Sequence, residues 1–163
     1  MTVAISFLGP TAYKDTTYVY ADQVYPGKYF AAALPHFFPE LSKIHVLVTP
    51  TVAAHTNAAE LKALLGDLFN PVPIPEGHSE ADLWEIFLRL TNTVAYGERV
   101  IFDITNSFRS LPFLTFLAAT FLRAARGVEV AAVVYGAFEA RDMDTNRSPV
   151  FDLTPFVSLL DWI

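Results

Sequence analysis

Val100-Ile-Phe-Asp-Ile-Thr-Asn-Ser-Phe-Arg-Ser-Leu-Pro112 decides the fold of this chain. An apolar run ends in Asp103, Thr105, Asn106 and Ser107, then passes through Phe108 and Arg109 to Pro112 and an apolar helix. That order reads as a buried parallel strand delivering polar side chains to a helix N-terminus. In open α/β sheets, ligands bind in the crevice beyond the carboxyl ends of the strands. A helix start carries unpaired N–H groups and a partial positive charge, both suited to phosphate or another anion. Function is therefore expected first at this junction.

Working outward, Val3 to Leu8 reads as the first strand, stopped by Gly9-Pro10. Thr16 to Tyr20 reads as a short extra strand or hairpin arm. A weak helix is expected over Tyr29 to Phe38, with Pro35 compromising its second half. Lys43 to Val48 is the next strand, and Thr49 or Thr51 can cap one helix running to about Leu68. Val72 to Ile74 reads as an extended edge piece, and Ser79-Glu-Ala-Asp82 as a capping box opening a helix to about Tyr96. After the strand Arg99 to Ile104 come a helix from about Ser110 to Ala125, a stop at Gly127, and an apolar strand from Val128 to Tyr135. A turn-rich segment, Arg141 to Pro149, leads to a strand Val150 to Leu153 and a last helix, Pro155 to Trp162. Strands alternate with helices and lack one-sided polarity, which predicts one Rossmann-like α/β domain over residues 1–163, its mostly parallel sheet covered on both faces.

The chain has 163 residues, of which 53% are apolar and 17% charged, with no cysteine. Its oiliness points to apolar surface covered by a second subunit. The longest apolar run, Leu111 to Leu122, spans about 12 residues, the length of a core helix rather than a membrane span. No charged-then-apolar leader opens the sequence, and the lack of cysteine fits a cytoplasmic setting. A net charge of −6 argues against broad binding to duplex DNA or RNA, which needs a basic face. A small phosphodiester needs only a few amides and one or two cations, and Lys14 and Arg109 both fall in expected strand-to-helix loops.

For Asp103 to Arg109 the functional reading is a polar cradle in which Arg109 supplies a fork for phosphate. The plainer reading is N-capping by Thr105, Asn106 or Ser107. Gly9, Thr11, Tyr13 and Lys14 follow the first strand, and in a doubly wound sheet their loop lies beside that cradle. Neither standard glycine-rich nucleotide fingerprint is present. Tyr13, Tyr18, Tyr20 and Tyr25 either stack on bases or serve as strand and dimer contacts. His36, His45, His55 and His78 show no paired metal-ligand spacing, no serine has a nucleophile-elbow context, and no cofactor is expected.

Ile5-Ser-Phe-Leu-Gly9 with Tyr13-Lys14 and Thr17-Tyr18, followed by Asp103-Ile-Thr-Asn-Ser-Phe-Arg-Ser-Leu-Pro112, resembles CARF domains, the CRISPR-associated Rossmann-fold sensors of type III CRISPR systems. Ile74-Pro-Glu-Gly77, Leu83-Trp84-Glu-Ile-Phe87 and Asp152-Leu-Thr-Pro-Phe156 extend the resemblance in order along nearly the whole chain. It implies a homodimer whose paired sheets form a two-fold pocket for cyclic oligoadenylate, a ring of four or six adenylates, in antiviral defence. Ligand-binding positions so implied are Gly9, Thr11, Tyr13, Lys14, Asp103, Thr105, Asn106, Ser107, Phe108 and Arg109. Relatives of this kind often carry His-Gly where this chain has Asn106-Ser107, and an effector domain beyond the region matching Phe156 to Trp162.

Two functions follow from the resemblance. A slow, metal-independent ring nuclease would orient a ribose 2′-hydroxyl through Thr105, Asn106 or Ser107 and stabilise the phosphorane through Lys14 or Arg109. A pure sensor would bind the ring intact and regulate a separate or C-terminal effector ribonuclease. A third expectation is a Rossmann-like domain for another nucleotide, or a structural dimer.

Overall fold

The computed structural model describes residues 1–107 and 109–159. Phe108 of the expected cradle and residues 160–163, the expected end of the last helix, lie outside the described residues. The chain runs β1 (Thr2–Phe7), β2 (Thr16–Tyr20), β3 (Gln23–Gly27), α1 (Phe30–Phe37), β4 (Leu41–Val48), α2 (Pro50–Ala53), α3 (Thr56–Leu65) and β5 (Phe69–Pro73). It continues with α4 (Glu80–Thr93), β6 (Arg99–Asp103), α5 (Leu111–Arg126), β7 (Glu129–Gly136), β8 (Arg147–Asp152) and α6 (Thr154–Ser158).

The strands form one sheet in the order β3-β2-β8-β7-β6-β1-β4-β5. From β7 to β5 all neighbours are parallel; β8 runs antiparallel to β7, and β2 joins β8 in parallel. The β2–β3 hairpin finishes that edge. This is the α/β, Rossmann-like, mostly parallel sheet that the alternating pattern predicts.

Alternation along each strand builds two cores. Ala4, Ile44, Val46 and Ile101 point to the face covered by α1 and α3, where Leu34, Phe37 and Leu61 meet them. Val3, Ile5, Val100 and Phe102 point to the other face, against Ile86 and Leu90 of α4 and Ala118 and Leu122 of α5. Each large aliphatic side chain so buried contributes about 1.5–3 kcal/mol.

Three local expectations are corrected. Pro35 lies inside α1 without ending it. The lost bond and ring clash cost about 3 kcal/mol, and burial of Phe30, Leu34 and Phe37 offsets that. The helix expected up to Leu68 is two helices: Thr49 caps α2, Ala54 closes it, and extended His55 caps α3 by accepting the Asn57 N–H at 3.1 Å. The last strand begins at Arg147 rather than Val150, because Thr17, Tyr18 and Val19 pair with its first three residues.

Candidate functional site

β4 and β5 extend the parallel sheet on one side of β1, and β6 and β7 extend it on the other. The strand order therefore reverses between β1 and β6, and the gap beyond their carboxyl ends is the switch point where such sheets bind ligands. The two loops singled out in the sequence, 8–15 and 104–110, meet there.

Asp103 closes β6 and is fully buried. It accepts from Ser6 Oγ at 2.7 Å and from the Thr105 N–H at 2.9 Å, which ties β1 to β6 immediately behind the cleft. Burial pushes its carboxyl above the ordinary value, against the opposing pull of the Thr105 and Ser6 donors. Asp103 thus supports the cleft from behind rather than lining it. Thr105 Oγ1 accepts from the Gly136 N–H at 2.9 Å, and Ser107 Oγ donates to the Ile104 carbonyl at 2.7 Å. Both hydroxyls hold the loop shape. Capping of α5 by Thr105, Asn106 or Ser107 is not found: the N-cap is Ser110, whose side chain makes no capping bond. Arg109 precedes it with φ of 56°, the left-handed region, and is exposed.

The first loop is anchored from below. Gly9 N–H donates to Tyr13 Oη at 2.6 Å, and the Tyr13 ring meets Tyr29 edge-on at 5.5 Å. A Cβ on Gly9 would lie 2.9 Å from the Tyr13 hydroxyl, so a larger residue there would push the end of that side chain aside. Asn57, buried at the start of α3, donates through Nδ2 to the carbonyls of Gly9 (2.9 Å) and Thr11 (2.7 Å). The Tyr29 hydroxyl lies 2.9 Å from Asn57 Oδ1 and also contacts Glu60. Burial and that carboxylate hold the Tyr29 phenol well above its usual range.

A cavity of 540 Å³ opens at the switch point, lined by Gly9, Thr11, Tyr13, Thr105, Asn106, Ser107 and Arg109 among others. The start of α2, which follows β4, and the loop after β5 add Thr49, Thr51, Glu76 and His78 to its wall. Tyr13, Thr105 and Asn106 also border a second cavity of 270 Å³, which holds Lys14, Lys28, Tyr135 and Glu139. Burial and Glu139 push the Tyr135 phenol up to about 12. Asn106 stands on the shared wall, and its side chain makes no hydrogen bond among the described residues. Lys14 therefore sits beside the chamber that contains Arg109, not within it.

Sequence reasoning missed Thr49, Thr51, Glu76, His78, Asn57 and Lys28. The signal available was topological: parallel strands end at one edge, so loops after β4 and β5 open beside those after β1 and β6. Tyr18, Tyr20 and Tyr25 pack on Phe30, Phe37 and His36 of α1, which clamps the hairpin. Of the four tyrosines, Tyr13 lines both cavities and Tyr18 the smaller one.

Among the described residues, no helix is long and apolar enough to cross a membrane. No protein-family model matches the chain. It is similar to a CRISPR-associated protein of Methanocaldococcus jannaschii, with 31% identity over 93 residues. The match covers 55% of this chain and 14% of that relative.

Proposed function

We propose that the cleft binds a cyclic oligoadenylate in CRISPR antiviral defence, and that a homodimer of this chain completes the pocket and slowly opens the ring without a metal. The observation that carries this reading is the convergence at one switch point of the two loops that resemble CARF motifs. Similarity to a CRISPR-associated protein supports the biological setting.

The chemistry is consistent with a phosphodiester ring. Arg109 in the larger chamber and Lys14 in the smaller supply cations to either side of Asn106, while Lys28, also at the smaller one, pairs with Glu60 at 3.2 Å. A ring of adenylates repeats one phosphodiester about a rotation axis, so an isologous dimer grips it with duplicated residues. The α4–α5 face supplies a surface for that dimer. Trp84, Leu88, Phe113 and Leu117 are exposed there, around a 500 Å³ groove with an apolar lining of Leu83, Phe87, Leu114 and Phe121. An exposed patch of this kind marks an interface. Because α5 begins beside Arg109, pairing along its first turns brings two cradles together.

Incubation with cyclic tetra- and hexa-adenylate in EDTA, followed by chromatography and a binding assay, tests the reading. Linear products ending in 2′,3′-cyclic phosphate are expected. An intact bound ring makes the domain a sensor, and no binding to either ring removes the reading. Arg109→Ala is expected to weaken binding by at least about tenfold, the scale of one charge-assisted hydrogen bond.

A further inference from the structure

Opening a phosphodiester ring by its own ribose is faster when a side chain takes the 2′-hydroxyl proton. Among the described residues of the loop 104–110 none is placed for this: Asp103 is buried behind it, and the Thr105 and Ser107 hydroxyls are engaged. The loops after the other strands are the place to look for it.

Three of the four imidazoles are occupied elsewhere. His36 packs against Tyr25 and Phe37, His45 Nδ1 pairs with Asn70 at 2.8 Å, and His55 Nδ1 caps α3. His78 lines the same 540 Å³ cavity as Asn106 and Arg109, and its imidazole makes no hydrogen bond among the described residues. Its backbone is fixed from both sides. Asp82 of α4 accepts the His78 N–H at 3.1 Å, while Ser79 caps the helix. Glu76 accepts from Thr51 N–H (2.9 Å) and Thr51 Oγ1 (2.6 Å), which clamps the loop to the start of α2. Gly77 between them has φ of 85°, a conformation open to glycine and strained for other residues. A histidine held this way at a cavity wall is placed to act on what the cavity binds.

We propose that His78 is the catalytic base of ring opening, accepting the proton of a ribose 2′-hydroxyl as its oxygen attacks the adjacent phosphorus. The bond formed is 2′-O–P and the bond broken is P–O5′. The products are a linear strand with a 2′,3′-cyclic phosphate and a free 5′-hydroxyl. The departing 5′-oxygen takes a proton from water in the open cleft, and His78 returns its proton to water. The inference rests on the reading that the cleft holds a cyclic oligoadenylate.

Titratable and charged groups around His78 are Glu76 in its own loop, Asp82 on α4, Tyr13 from the first loop and Arg109 from the 104–110 loop. The Thr51 hydroxyl and N–H hold the Glu76 carboxyl below its ordinary value, with smaller contributions from the Thr49 hydroxyl and His78.

Single-turnover cleavage of cyclic tetra- and hexa-adenylate in EDTA tests the assignment on the whole chain. His78→Gln is expected to cleave about a hundredfold slower or worse, with ring affinity kept within about threefold. Free imidazole is expected to restore part of the rate to His78→Ala, which a merely structural role would not allow. Cleavage by His78→Gln at the wild-type rate, or a wild type that binds the ring and leaves it intact, overturns the assignment while the binding proposal stands. A wild type that binds neither ring overturns both.

Discussion

The Asp103 carboxylate and the Asn57 amide do complementary work beneath the cleft, one holding the end of β6 and the other the loop after β1. Asp103 carries a raised pKa, so the folded chain keeps its proton to higher pH than the unfolded chain does. Its contribution to stability is then fully present below the unfolded carboxylate value, about 3.9, and is lost as pH rises through the folded value. Asp103→Asn cannot ionise and removes this dependence. Urea denaturation of both proteins is expected to show wild type gaining stability relative to Asp103→Asn as pH falls from neutrality towards about 4. A difference that stays constant with pH would show the carboxyl to be unshifted. Asn57 makes a separate prediction. Asn57→Leu leaves the Gly9 and Thr11 carbonyls without their donor, at about 1–3 kcal/mol for the buried Gly9 carbonyl left unpaired. Amide exchange at Thr11, Ala12 and Tyr13 is expected to speed up more than exchange in β4. Equal protection in both proteins would mean that the loop holds its shape without Asn57.

Among the elements, the packing of α1 and the β2–β3 hairpin across the end of β7 is the least forgiving contact. A Cβ on Gly136 would come within 2.7 Å of Phe30 Cδ1 and 3.0 Å of Tyr18 Cε1, both set in the core. Gly136→Ala is expected to cost about 1–3 kcal/mol in thermal or urea unfolding, the range for overpacking a rigid site. It should also disturb the Gly136 N–H bond that orients Thr105. Unchanged stability would mean that α1 shifts freely over the sheet. The same packing explains which elements were legible in the sequence. β1, β6 and β7 are largely buried on both faces and read as near-continuous apolar runs, and β4 does so over its second half, Val46 to Val48. Gly127, in the left-handed conformation at φ 61°, ends α5 where its position predicts. The α2–α3 break was not legible, because α3 is capped by the His55 imidazole, a residue outside the usual Ser, Thr, Asp and Asn set. β3 carries Pro26 and two exposed residues at its start, so its composition gave no strand signal. At the cleft, the loops after β1 and β6 announced themselves through glycine, polar residues and a cation. Thr49, Glu76 and His78 looked like ordinary capping and turn residues until the strand order brought them to the same edge.

At the scale of the whole molecule, one side of the sheet is finished and the other is open. The α1–α3 face closes over aromatic side chains, whereas α4 and α5 present Trp84 at 68% exposure and Phe113 at 65%. Leaving such groups in water forgoes burial at about 25 cal/mol per Å². A second copy seated on α5 would cover that face and align two Arg109 cradles about the two-fold axis. Phe113→Glu tests this with little risk to the fold, because Phe113 is exposed on the first turn of α5. Wild type is expected to sediment as a dimer at about 10 μM, a concentration well above the Kd of a standard interface, and Phe113→Glu as a monomer with an unchanged melting transition. Ring affinity should drop with the dimer by more than about tenfold, since each protomer then offers only its own cations. A monomeric wild type that still binds the ring tightly would show that one cleft suffices. A dimeric Phe113→Glu would move the interface away from α5, and the two cradles would then have to meet by another face or act apart.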